Sequence, residues 1–148
     1  MMEQPYFLLT LMAAIIFAFG YPRFLNATTP ENLSREPLPV KKLPSESGML
    51  LVDIRTPSEW QQTGVVKGSH LLTFQSPESF LNDIRPKLKN GQRLALICRS
   101  GNRSSRAARK IAKQVDFPVV DIEGGMARVL SERHKIVRPT RAMGCQNC

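Results

Sequence analysis

One cysteine stands where a chain would place a reactive thiol. In "LALICRSGNRSSRAARKIAKQ", residues 94–114, Cys98 ends an apolar run. Arg99, Ser100, Gly101, Asn102, Arg103 and Ser104 follow at once, and the pattern then turns helical. No acid accompanies the cations of this loop. Gly101 allows the positive φ or close approach by which successive backbone N–H groups can curl inward. The helix that follows adds the partial positive charge of its N-terminus. Arg99, Arg103 and Arg106 add full charges. All three features favour thiolate over thiol and form a cup for an anion. A cysteine ending a buried strand can also be a small hydrophobe, but the glycine, the arginines and the helix start decide for chemistry.

The surrounding elements have to hold that loop. From residue 49 the chain alternates short apolar runs with helical patterns. "MLLVDI" (49–54), "SHLLTF" (69–74), "RLALIC" (93–98) and "PVVDIEGG" (118–125) read as strands. Helices are expected to open at "TPSEW" (56–60), with Thr56 as N-cap, and to cover 76–88, 104–115 and 126–136. This alternation predicts an α/β domain with a mainly parallel sheet flanked by helices, Cys98 sitting at a strand's carboxyl end where such sheets bind ligands.

Four motifs together resemble the rhodanese (thiosulfate sulfurtransferase-like) family. "CRSGNRS" resembles its active-site loop, "VDIRTPSEW" (52–60) its first-strand signature, "GVVKGSH" (64–70) its second element, and "IEGGMARV" (122–129) its glycine turn and last helix. The resemblance covers about residues 45–136. It implies a five-stranded, mainly parallel sheet over 45–137 and a ping-pong reaction. Cys98 would take a sulfane sulfur from a small anionic donor such as thiosulfate and pass it to a thiol or cyanide, with no cofactor and no metal. Residues 99–104 would bind the donor, with Arg103 matching the loop-closing arginine. Asp53 and Arg55 match residues that buttress the loop and first helix, though Arg55 also reads as an ion-pair partner of Glu59.

Departures and competitors are visible too. Val65, His70 and Val129 stand where the family usually carries His, Asn and Trp, which touches packing more than chemistry. His70 and His134 read as ordinary structural or surface histidines. Related dual-specificity phosphatases place five residues between cysteine and arginine; here four separate Cys98 from Arg103, a tighter cup that suits sulfur. A non-catalytic binding module on the same fold is the alternative, against which the presence of Cys98 argues. Arg103, Arg106, Arg109, Lys110 and Lys113 lie in one segment without aromatic residues between them, which reads as a solvated face and not as a nucleic-acid interface.

The rest of the chain sets the context. Its 148 residues suffice for one ordinary domain, 42% of them are apolar, and the net charge of +9 invites anionic partners. Residues 6–21 carry no charge and run slightly short of the ~20 needed to cross a bilayer. They read as an uncleaved membrane anchor, a cleaved signal or, least well, a core helix. Arg23, Arg35, Lys41 and Lys42 follow the run, so an anchor would leave the domain cytoplasmic and a cleaved signal would release it to the periplasm. Residues 22–44 hold Pro22, Pro30, Pro37, Pro39 and Pro44 and read as a linker. Residues 138–148 form a basic tail ending in Cys145 and Cys148. That pair reads either as loose thiols that oxidise adventitiously or as a redox relay that takes sulfur from the Cys98 persulfide. Two ligands alone cannot complete a tetrahedral metal site.

Overall fold

The computed structural model describes residues 29–39 and 44–148. Strands β1 (Leu33–Glu36), β2 (Met49–Asp53), β4 (His70–Leu71), β5 (Arg93–Ile97) and β6 (Val119–Ile122) form one sheet in the order β1-β6-β5-β2-β4. Every neighbouring pair in it is parallel. Strands β3 (Val65–Val66) and β7 (Ile136–Val137) make a small antiparallel ribbon beside it. The helices are α1 (Pro57–Thr63), α2 (Pro77–Ile84), α3 (Asn102–Ala112) and α4 (Gly125–Ser131). This is the expected α/β architecture, with a five-stranded parallel sheet flanked by helices.

The apolar runs are continuous because both sheet faces are covered. Val52, Leu94, Leu96 and Val119 face a layer built from Phe80, Leu81 and Ile84 of α2 and Ala107, Ala108 and Ile111 of α3. Leu51, Ala95, Ile97, Val120 and Ile122, at alternate positions, face the opposite layer with Met126 and Val129 of α4. The period-2 alternation of a strand thus divides one apolar string between two cores. Val129, at the departure noted above, is buried and simply fills this second layer.

Three expectations need correction. First, the segment read as linker contains β1, an edge strand paired in parallel with β6. Its residues are mostly polar and only four long, so no hydrophobic period announces it; Pro37 follows and ends it. Asn32 ties it down, its amide pointing at the carbonyls of Ala112, Val115 and Phe117 at 3.2, 2.8 and 3.2 Å. Second, the last helix stops at Ser131 instead of 136. Arg133 adopts φ 56°, which breaks the helix, and Ile136–Val137 then pairs with β3. Third, the final residues are folded, not loose. Cys145 and Cys148 are joined by a disulfide. Cys145 is fully buried with Trp60, Val65 and Leu71.

The hydrophobic segment 6–21 lies outside the described residues. Among the described residues no helix is long and apolar enough to cross a membrane.

Candidate active site

The loop expected to do chemistry closes around its sulfur. Cys98 directly follows β5 and is 1% exposed. Its Sγ accepts hydrogen bonds from the backbone N–H of Gly101 at 3.2 Å and of Ser104 at 3.4 Å. Burial pushes the thiol's pKa up. The Ser104 hydroxyl and the backbone N–H groups of Ser104, Ser100 and Gly101 outweigh it, and the net direction is down. The α3 helix begins at Asn102, so its unsatisfied N–H groups face the same place.

Two glycines make the cup possible. Gly101 has φ +94°, in the left-handed region, which turns the backbone between β5 and α3. Gly125, with φ +57°, lets α4 press on the loop from behind. A Cβ there would lie 2.5 Å from the Cys98 carbonyl oxygen and 2.9 Å from the Gly101 nitrogen. The helix repays that approach by donating the Met126 and Ala127 N–H groups to the carbonyls of Cys98 and Arg99, at 2.8 and 2.9 Å.

Arg103 is not an unpaired charge waiting over the sulfur. Its guanidinium grips the Glu59 carboxylate with both terminal nitrogens, Nη1 to Oε2 at 2.9 Å and Nη2 to Oε1. That grip, with the Thr56 backbone and hydroxyl, holds the Glu59 carboxyl down to about 2 against the opposing effect of burial. Glu59 is placed by its own helix start. Thr56 caps α1, and Glu59, three residues on, completes a capping box. The Glu59–Arg103 bridge stands between two hollows. One, of about 290 Å³, is lined by Glu59, Arg55 and Arg99 together with Met126 and Ala127 of α4. The other, of about 330 Å³, is lined by Arg103, Arg106, Lys110, Thr56 and Phe74.

Asp53 and Arg55 form a buried support behind the loop. Arg55 is 1% exposed and bonds both Asp53 oxygens, Nε to Oδ1 at 2.9 Å and Nη2 to Oδ2 at 2.7 Å. Its remaining donors reach the Glu59 carbonyl, the Thr63 hydroxyl and the Gly64 carbonyl. Arg55 therefore staples the end of β2 to the middle and C-terminal end of α1. Its acid is Asp53, not Glu59.

Residues 98–104 thus come together in one cup, with Asp53 and Arg55 supporting the helix beside it. Arg99, Ser100 and Asn102 are exposed at its rim, while Gly101 and Ser104 are buried in it. Cys145 and Cys148 are not brought to the cup. Cys145 belongs to the Trp60 cluster, whereas Cys98 belongs to the α2–α3 layer. Cys148 lies beside Gln61, 3.7 Å from its amide nitrogen. Two residues escaped sequence reading as site components. Glu59 carried a usable signal in its capping-box spacing from Thr56. Asp121, whose Oδ1 accepts the Ser104 hydroxyl at 2.6 Å, carried none, since it stands in an apolar strand far along the chain.

Residues 36–132 match the rhodanese-like domain family, and the chain belongs to that family. The uncharacterized protein slr1261 of Synechocystis sp. is 27% identical over 103 residues, covering 69% of this chain and 54% of its own. The chain spans about half the length of that relative. Among solved structures, a rhodanese-related protein from Thermoplasma volcanium is 26% identical with a TM-score of 0.51, over 64% of this chain and 89% of that one. A Rhodopseudomonas palustris protein of unknown function, described as a possible tyrosine phosphatase, shares the fold at 24% identity and TM-score 0.53, over 63% of this chain and 74% of its own.

Proposed function

We propose that this chain is a sulfurtransferase that carries sulfane sulfur on Cys98. The observation that supports it most directly is the Cys98 sulfur, buried and held by the Gly101 and Ser104 N–H groups. The Cys98 thiolate attacks the outer sulfur of a donor such as thiosulfate. The donor's S–S bond breaks and sulfite leaves with the electron pair. The resulting Cys98 persulfide is anionic at its outer sulfur, where the loop's inward N–H groups favour negative charge. A thiolate or cyanide then attacks that outer sulfur, the new S–S or S–C bond forms, and Cys98 departs again as thiolate. Stabilising the thiolate serves both half-reactions, since it is nucleophile in the first and leaving group in the second. Arg99 at the rim and the cations of the two hollows favour a small anionic donor.

A second reading, phosphate-ester hydrolysis, takes its support from the described possible phosphatase that shares the fold. The four residues between Cys98 and Arg103, and the engagement of Arg103 with Glu59, weigh against a cup sized for phosphate. The test is mass spectrometry of the protein after thiosulfate. One added sulfur on the Cys98 peptide, removed by cyanide, is the expected result. An unmodified Cys98 peptide together with hydrolysis of p-nitrophenyl phosphate would establish the second reading instead.

A further inference from the structure

One buried acid has no part in the reaction just described. Asp121 sits on β6 between Val120 and Ile122, and its side chain is 3% exposed. Its Oδ1 accepts the Ser104 hydroxyl at 2.6 Å, while its Oδ2 accepts no hydrogen bond. Arg35 Nε of β1 lies 3.5 Å from Oδ2, beyond good hydrogen-bond geometry, on a side chain that is 59% exposed. The other charges around it are Arg109 from α3 and Glu123 just past β6. Burial pushes the Asp121 carboxyl up, against the Ser104 hydroxyl, Arg35 and Arg109.

Ser104 has one hydroxyl proton and more than one acceptor for it. The Asp121 carboxylate lies at 2.6 Å and the Gly101 carbonyl at 3.1 Å. The Cys98 sulfur accepts the N–H of the same residue at 3.4 Å, so it lies beside this hydroxyl as a third candidate acceptor. A hydroxyl cannot donate to all of them at once.

We propose that Asp121 is a positioning residue for Cys98, deciding through the Ser104 hydroxyl whether that single proton serves the carboxylate or the sulfur. With Asp121 ionised, the Ser104 proton points to Oδ1, and a negative charge lies behind the loop. Both effects disfavour the thiolate. When Asp121 takes up a proton from solvent, its own O–H donates to Ser104 Oγ. The Ser104 proton then turns to the sulfur. No proton is transferred to Cys98; one hydrogen bond changes partners. The other charges near the sulfur are Arg103 with Glu59 and Asp53 with Arg55, each satisfied within its own pair, and Arg99, exposed at the rim. The inference deepens the reading of Cys98 as a sulfur carrier, yet its readout is the thiolate itself.

The experiment is the pH dependence of Cys98 alkylation by iodoacetamide. Cys98 is the free thiol while Cys145 and Cys148 remain joined, so the rate reports one group. The proteins are the parent, Asp121→Asn, Ser104→Ala and the double variant. Asparagine removes the charge, and its amide can donate to Ser104 Oγ as the protonated acid does. The alkylation midpoint of Asp121→Asn should fall by about one unit, roughly tenfold more thiolate below both midpoints. In the Ser104→Ala background the same replacement should shift it by less than half as much. An unmoved midpoint in Asp121→Asn overturns the inference. So does a shift of equal size with and without the Ser104 hydroxyl, which would mean charge alone. Should Asp121→Asn fail to fold, the ¹³C carboxyl resonance of Asp121 in the parent decides. It should show a second step at the Cys98 alkylation midpoint, and a single-step curve overturns the coupling. A protein that behaves as expected here but never forms a persulfide would refute sulfur transfer alone.

Discussion

Replacing Gly125 by alanine tests whether α4 shapes the cup from behind. The φ of +57° costs an L-residue about 1–2 kcal/mol. The added methyl would also meet the Cys98 carbonyl oxygen at 2.5 Å and the Arg99 carbonyl carbon and Gly101 nitrogen at 2.9 Å. Those are backbone atoms and cannot swing aside as a side-chain tip would. Such overpacking typically adds about 1–3 kcal/mol, giving a total near 2–5 kcal/mol. Gly101→Ala is the control. Its φ of +94° carries a similar backbone penalty, but the nearest atom to its Cβ would be 3.5 Å away, an ordinary contact. Urea unfolding should therefore show Gly125→Ala less stable than Gly101→Ala by about 1–3 kcal/mol. Relief of the clash must move the loop, so Gly125→Ala should also lose thiosulfate:cyanide transfer at least tenfold under conditions where it remains folded. Equal stability of the two variants, with the Gly125→Ala rate unchanged, would refute the argument that contact with α4 fixes the loop.

Other outcomes are expected from the same geometry. Cys98→Ser should fold as the parent does and form no persulfide, because serine has no sulfur to extend; mass spectrometry after thiosulfate reads it. Glu59→Gln should lower stability at neutral pH by only about 0.5–1 kcal/mol, since Arg103 is 47% exposed and water screens the pair. Because the Glu59 carboxyl is held down to about 2, that difference from the parent should persist at neutral pH, shrink as pH falls below about 4.5, and vanish as pH falls through about 2. Acid titrations of both proteins in urea check it, and a constant difference across that window would count against the pair. Removing residues 144–148 should destabilise by about 2–4 kcal/mol, because Cys145 leaves a hole against Trp60, Val65 and Leu71. Cys148→Ser should cost about 2 kcal/mol or less, the chain-entropy effect of so short a loop, and the midpoints of urea unfolding rank the two.

The loop's backbone was readable because it is local. The turn from Cys98 to Ser104, its glycine, and the helix that follows are consecutive residues, so the cup's backbone is written in one short string. The same holds for the Thr56 cap and the strand–helix alternation, which follow from neighbouring residues and from apolar runs covered on both faces. The sequence by itself therefore determined the fold class and the turn that brings backbone N–H groups around Cys98. Tertiary structure decided what depends on contacts between distant segments. Arg103 could be seen as a cation, but only the packing of α1 beside α3 makes Glu59 its partner. Asp53 and Arg55 could be seen, but not that Arg55 chooses Asp53, because burial just past β2 leaves it no water and puts both Asp53 oxygens within reach. The polar strand β1 and the burial of Cys145 were hidden for a shared reason. Neither carries a periodic apolar pattern of its own, and each is held by partners more than sixty residues away in the chain, β6 for the first and the Trp60 cluster for the second. Asp121 and Ser104 meet in the same way, seventeen residues apart, because β6 lies beside β5 and under α3. A charge's partner is set by which surfaces the core brings face to face, and that is a property of the packed sheet, not of the string.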